Sequence, residues 1–331
     1  MKIPNCSRTG MALKSVLGVL LSVGGLAVSA QEWQPCTPLP ESRFEYASVA
    51  VKDVIYVIGG HTGNSISDAV FYAKANKDGT LSSWQDGNPL PVKLAYVTAV
   101  ANKDKIYVLG GSNDAMSEKV FYTTVNNDGI DEWKETTPLP KKINVGSVVV
   151  YKDTIYYIGG WYWRGGWSAK IKEDGTLGEW KEIQNMISPR GAAMVFADND
   201  CIYLCGGNAG HTADTRKADV FRTKVLADGS LEKWEKMTKL PFANDAMAGV
   251  LVGKKIILLG GAVGEAKALS ATINEKSELG DWTEEKYSLP KPLWSFRALY
   301  VNGWVYIIAG FSKSDDGKPA VSNAVYRLKA Q

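Results

Sequence analysis

An all-β propeller of six blades is the fold this sequence predicts, and three observations predict it. A Gly-Gly pair closes an apolar run at Gly59, Gly110, Gly159, Gly206 and Gly260, with Ala309-Gly310 as a degenerate sixth copy, at intervals of 51, 49, 47, 54 and 49 residues. One tryptophan accompanies each unit, at Trp33, Trp84, Trp133, Trp180, Trp234 and Trp282. Trp33 precedes every glycine pair, whereas the last unit stops after Val325-Tyr326-Arg327-Leu328 with no tryptophan of its own.

A period of about 50 residues whose β-rich run ends on a glycine pair is the pattern of a kelch blade. The expected fold is therefore a six-bladed kelch β-propeller. Each unit reads as an inner strand, a second strand ending in Gly-Gly, a third such as Val120-Phe121-Tyr122, and a fourth carrying the tryptophan. The first segment supplies the fourth strand of the last blade, which pairs the two ends of the chain and leaves no open edge between first and last blades. The six periodic tryptophans are expected between blades. Trp167 aligns with Phe71, Phe121 and Phe221 on third strands and is expected in the core.

Residues 1–30 stand outside the repeat. Lys2, Arg8 and Lys14 precede the apolar stretch Val16 to Val28, and Val28-Ser29-Ala30 offers small residues for cleavage before Gln31, the organisation of a secretory signal peptide. The expected domain then runs over 31–331, in a protein exported to the periplasm or secreted. No segment reaches the length of apolar chain a membrane span requires. The leader holds three basic residues and no acid, so the +3 charge of the whole chain falls to zero without it. A neutral chain lacks the basic footprint of nucleic-acid binding. Cys201 and Cys205 are four residues apart on one extended strand, about 13 Å, too far for a disulfide. Both, and Cys36, are expected as free thiols.

In a four-stranded up-and-down blade the second-to-third loops share a face with the blade-to-blade links. The opposite face is monotonous: Lys52-Asp53, Lys152-Asp153 and Asn302-Gly303 read as tight hairpin turns, and Asp78-Gly79, Asp174-Gly175 and Asp228-Gly229 open fourth strands. The loops after Gly-Gly are unrelated in sequence and run from 5 to 14 residues. Variable loops on a rigid scaffold are where binding groups sit. Trp161-Tyr162-Trp163-Arg164 lies there, and aromatic faces stack on sugar rings while a guanidinium grips a carboxylate through paired hydrogen bonds. Packing of that loop on its neighbours is the alternative. Arg43 and Arg190 lie at equivalent places, 17 residues before the second glycine of their pairs, and Trp294 falls one position further on in its unit with Arg297 close behind. Converging on the axis, these arginines would make an anion site; otherwise they hold a neighbouring blade's carbonyls.

His61 and His211 are the only two histidines, too few for a multi-histidine metal site, so no metal is expected. No dinucleotide fingerprint, phosphate-cradling loop or nucleophile elbow is present, and no cofactor is expected. Any chemistry rests on carboxylates, arginine, histidine or tyrosine.

The Pro-Leu-Pro links at Pro38-Leu39-Pro40 and Pro138-Leu139-Pro140, the six Gly-Gly blades, the leader and the ending from Gly317 to Val325 resemble bacterial kelch-type N-acetylneuraminate epimerases, the sialic acid mutarotases. The resemblance covers the whole chain after the leader. It implies interconversion of the α and β anomers of free sialic acid by an arginine and a glutamate of the fourth-blade region. Arg216, in Thr215-Arg216-Lys217-Ala218-Asp219-Val220-Phe221, matches that arginine. The glutamate's stretch reads Gly206-Gly207-Asn208-Ala209-Gly210-His211 here, with no carboxylate, and Asp214 is the nearby substitute.

Mutarotation needs a base, an acid and a clamp for the substrate carboxylate. On the resemblance, Arg216 serves the carboxylate, Asp214 or His211 moves the proton, and Trp161 or Trp163 stacks on the sugar, with Arg43, Arg164, Arg190 and Trp294 as further binding residues. The expected partner is an acidic sugar or glycan. A noncatalytic glycan- or protein-binding propeller is one alternative. A glycoside hydrolase or lyase using acids such as Asp114 or Glu265 is another.

Overall fold

Val54–Ile58, Lys105–Leu109, Cys201–Cys205 and Lys255–Leu259 are short, almost wholly apolar runs bounded by turns, the pattern of a strand buried on both faces, and each forms the second strand of a blade. The computed structural model describes residues 32–330 apart from Asp128, Gly264, Asp315 and Asp316. The leader expected over 1–30 lies outside the described residues. What the structure describes is an all-β, six-bladed propeller.

Blade 1 is built from Ala47–Val51, Val54–Ile58, Val70–Lys74 and Gln85–Gly87, each antiparallel to the next, with Ala47 opposite Ile58 and Ile58 opposite Val70. The same register recurs around the molecule. The inner strands Ala47–Val51, Thr98–Asn102, Ser147–Tyr151, Met194–Asp198, Ala248–Val252 and Arg297–Val301 each touch the next, and the last touches the first, so they ring a central axis. The last blade closes as the repeat predicts: Gln34, Pro35 and Cys36 pair with Arg327, Tyr326 and Val325. Beside that short strand, the Leu39 N–H donates to the Asn323 carbonyl at 2.9 Å and the Asn323 amide returns a bond to the Leu39 carbonyl at 3.0 Å.

The core lies in the seams between blades. Val49, Tyr56 and Ile58 of blade 1 pack on Ile106, Val108 and Phe121 of blade 2, and five further clusters repeat the arrangement. Polar groups lock the same seams. The indoles of Trp84, Trp133, Trp180, Trp234 and Trp282 donate to carbonyls of Thr37, Asn88, Thr137, Gln184 and Thr238 at 2.8–3.0 Å. The hydroxyls of Tyr306, Tyr107 and Tyr156 reach the carbonyls of Gly79, Gly175 and Gly229 in the next blade's turn at 2.8–2.9 Å. At Gly79, with φ of +84°, an added Cβ would stand 2.4 Å from the Trp304 ring, so both the turn and the close approach require glycine.

The variable face departs from simple loops in three places. In blade 3 the strands Thr154–Gly160 and Trp163–Lys170 continue almost to their turn, which moves Trp163 and Arg164 out of the loop and into the sheet. In blade 6, Trp304–Lys313 and Pro319–Lys329 form a long hairpin. In blade 2, Ser112–Asn113 and Ala115–Met116 form a small hairpin of their own.

Candidate functional site at the axial mouth

Each blade-to-blade link ends in a residue that turns the chain into the inner strand. These residues are Glu45, Tyr96, Val145, Ala192, Ala246 and Ser295, with φ of 50°, 52°, 58°, 49°, 51° and 50°. None is glycine. The left-handed region costs an ordinary residue of order 1–3 kcal/mol and persists only where the surroundings fix it. Here neighbouring links fix one another: the N–H groups of Tyr96, Ala192, Ala246 and Ser295 donate to the carbonyls of Glu45, Val145, Ala192 and Ala246 at 2.8–3.3 Å. The result is a collar of backbone around the axis on the variable-loop face.

Inside the collar is a cavity of about 190 Å³, lined by the collar residues and the first residues of the inner strands, among them Ser48, Ala99, Val148, Val195 and Ala298. Small aliphatic side chains alternate with polar groups in its wall, so polar and apolar surface are nearly balanced. Its charged groups are Glu45 and Arg297, which come from opposite sides of the chain's closure seam. The Ser295 hydroxyl donates to Glu45 Oε1 at 2.7 Å. Burial raises the Glu45 carboxyl above its ordinary value, Arg297 and the Ser295 hydrogen bond oppose the rise, and Asp245 adds to it. Arg297 extends over the Tyr46 ring, 5.4 Å from its centroid, and one of its nitrogens donates to the Phe296 carbonyl at 3.0 Å. Tyr96 faces the same carboxylate, and burial followed by Glu45 raises its phenol.

Arg216 stands beside this cavity in an unexpected partnership. Its Nε donates to Asp245 Oδ1 at 2.7 Å, and Asp245 directly precedes the collar residue Ala246. Asp245 Oδ2 accepts from the Asn208 amide at 2.8 Å, while Asn208 Oδ1 accepts from the Gly210 N–H and the Thr215 hydroxyl. The carboxylate next to Arg216 therefore comes from the link into blade 5. Asp214 is exposed on the short 3₁₀ turn Ala213–Thr215 and held ionised, chiefly by a hydrogen bond from Thr212. It does not pair with Arg216.

His211 and Trp161 do meet: their rings are edge to face with centroids 4.0 Å apart, and the Tyr96 ring lies 6.4 Å from the indole. Tyr162, 67% exposed, caps His211 at 5.2 Å. Trp161 Nε1 is buried without a hydrogen-bond partner. Trp163 instead packs on Trp167 at 4.2 Å beneath the Lys141 ammonium, and the exposed Arg164 gives its carbonyl to the Met186 N–H. Trp294 stacks on Phe311 at 5.6 Å, and Phe311 continues to Phe44 and His61.

Arg43 and Arg190 are equivalent, as their spacing predicts, but they do not converge on the axis. Both are 0% exposed, and each guanidinium turns outward over a third-strand ring, Phe71 or Phe221, at 5.3 Å. Arg43 meets Ser67 and Glu41; Arg190 meets Ser188, the Pro189 carbonyl and Asp219. Burial between these local acceptors holds them away from the mouth. Asp114 and Glu265 sit on blades 2 and 5, three places apart around the ring, and Glu265 pairs with Lys267 at 3.2 Å.

Glu45, Asp245, Tyr96 and Ser295 are the site groups that sequence reasoning missed. For Glu45, Tyr96 and Ser295 the available signal was a charged or polar side chain at a repeat position filled by valine or alanine in the other units; Asp245 lies one place earlier, where the units share no residue type.

Three comparisons bear on this architecture. The KLHDC2/KLHL20/DRC7 Kelch-repeats domain matches residues 45–261. Alpha-scruin of Limulus polyphemus is 22% identical over 291 residues, which cover 82% of this chain and 25% of that protein. Kelch-like protein 23 of Homo sapiens is 25% identical over 294 residues, 85% of this chain and 41% of its own. The chain thus spans less than half the length of these curated relatives. The solved structure of YjhT superposes with a TM-score of 0.69 at 14% identity, covering 87% of this chain and 95% of that one, a likeness of fold.

Proposed function

The chain belongs to the KLHDC2/KLHL20/DRC7 Kelch-repeats domain family, and from that scaffold and its axial mouth we propose an exported protein that binds an acidic sugar and interconverts its anomers, with sialic acid as the lead substrate. The observation that carries this reading is the guanidinium of Arg297 in the wall of the axial cavity, with no carboxylate bonded to it among the described residues. A half-buried guanidinium with no carboxylate bonded to it keeps its paired donors for a carboxylate ligand. Arg216 supports the same end, since Asp245 engages its Nε and leaves the paired outer nitrogens for a second acceptor. Trp161, backed by His211, offers an aromatic face at the rim.

Anomer-resolved proton NMR of freshly released sialic acid tests this. The protein is expected to shorten the relaxation to anomeric equilibrium, and an unchanged rate together with no chemical-shift change on the sugar overturns the reading. A second reading, a protein-docking face, is favoured by Tyr162 and Met116, which stand 67% and 49% exposed on loops of the same face. Absence of sugar binding moves weight to it, whereas binding without turnover marks a noncatalytic glycan-binding propeller.

A further inference from the structure

We propose that Glu45 is the acid–base residue of this site, supplied by the link into blade 1 and standing in for the carboxylate that Asn208 lacks. The inference rests on the mutarotase reading above and adds the group that moves the proton. Position is the first argument. Glu45 lines the axial cavity, and its backbone is fixed in the left-handed collar, where its carbonyl accepts from the Tyr96 N–H at 2.8 Å. A side chain on a backbone held this way needs no reorganisation to face the ligand.

The second argument is its surroundings. Every charged or titratable group acting on Glu45 is identifiable: Ser295 bonded to Oε1, Arg297 from the blade 6 strand, Tyr96 from the link into blade 2, and Asp245, with Arg216 bonded to it, from the link into blade 5. Arg297 is near enough to act on the carboxylate but forms no ion pair with it within 4.0 Å, so both remain open to a ligand. Burial outweighs Arg297 and Ser295 and moves the carboxyl upward, toward the range in which a carboxylic acid holds a proton it can give away. The alternatives are worse placed. Asp214 is exposed and held as the anion, and Asp245 already accepts from both Asn208 and Arg216.

The step balances without any cofactor. Protonated Glu45 gives its proton to the ring oxygen as the ring C–O bond breaks. The electron pair of the anomeric O–H bond becomes the second bond of the carbonyl, and that proton passes to solvent water. After rotation of the opened chain the hydroxyl re-adds to the other carbonyl face, water returns one proton to the new anomeric oxygen, and Glu45 recovers the other.

The test is anomer exchange of sialic acid measured across pH for the wild-type protein, Glu45→Gln and Glu45→Asp, with sugar binding followed by chemical-shift titration and folding by thermal melting. General acid–base catalysis contributes about 100-fold or more. Glu45→Gln is expected to bind sugar, melt at or above the wild-type temperature and lose the acceleration by about that factor, while Glu45→Asp retains part of it with a shifted pH profile. Wild-type acceleration is expected to fall as pH rises and Glu45 ionises. An active wild type matched within about twofold by Glu45→Gln overturns the role of Glu45 alone. A wild type without acceleration overturns the mutarotase reading itself. If Glu45→Gln fails to fold, the wild-type pH profile decides, and acceleration that stays flat across the carboxyl range refutes the assignment.

Discussion

Replacing Arg190 separates a buried strut from a ligand-binding residue. Its guanidinium donates to Ser188 Oγ at 2.6 Å, the Pro189 carbonyl at 2.9 Å and Asp219 Oδ2 at 3.0 Å, and lies over Phe221. Hydrogen bonds from a charged donor contribute about 1.5–3 kcal/mol each, but taking the guanidinium out of water costs several kcal/mol in return. Asp219 is 41% exposed, so losing its partner returns it to water rather than stranding it. That places Arg190→Ala at the low end of the range for a broken buried pair, about 3 kcal/mol, with lost contact on Phe221 included. Arg190→Met keeps the contact and leaves no cavity, and should cost about 1–2 kcal/mol. Urea unfolding with an unchanged slope reads the difference as a shift in midpoint. Anomer exchange and sugar affinity should stay at wild-type values in both variants. A normal midpoint in Arg190→Ala together with lost affinity would refute the assignment of Arg190 to the seam.

Two further outcomes follow from the repeat. Tyr107→Phe removes the hydroxyl that reaches the Gly175 carbonyl at 2.8 Å and should lower stability by about 1–2 kcal/mol in urea unfolding; Tyr156→Phe, which breaks the equivalent bond one blade on, should match it, and unequal losses would deny that the two latches are equivalent. Asp78, Asp174 and Asp228 each accept from a hydroxyl and an N–H two residues on, and these bonds, side chain first, hold their carboxyls below the ordinary 3.8. A depressed folded value means the stabilisation is complete above the unfolded value and disappears as pH falls through the folded one. Unfolding midpoints should therefore drop on acidification below about pH 4, and the triple change Asp78→Asn, Asp174→Asn and Asp228→Asn should flatten that drop; an unaltered acid slope would remove these turns from the account.

Much of the fold is legible in the chain because the repeat writes the same physical demand six times. Glycine pairs mark where the second strand must leave the sheet with positive φ, and five of the six periodic tryptophans mark where an outer strand is tied to its neighbour by an indole hydrogen bond. The closing strand was legible from an absence, a last unit without its tryptophan. The site was less so. Arg43 and Arg190 were correctly matched to each other by spacing, but spacing does not say which way a side chain points. Two residues further along, Glu45 occupies the collar position whose counterparts are Tyr96, Val145, Ala192, Ala246 and Ser295, a set with no shared chemistry and hence no motif. Likewise Asp245, rather than a residue of Arg216's own loop, completes the arginine, because the link into the next blade passes beside that loop at the axis.

That contrast has a physical origin. Backbone hydrogen bonds between neighbouring links enforce the left-handed collar, so its geometry does not depend on which side chain each position carries. Five of the six positions spend that freedom on aromatic, aliphatic or hydroxyl groups, and only Glu45 carries a charge. A carboxyl there loses hydration with one hydroxyl and a nearby arginine to offset it, and substitution by glutamine should relieve the burden and stabilise the fold at neutral pH. A charged residue that costs stability where the backbone would accept valine or alanine is what the acid–base role proposed for Glu45 predicts.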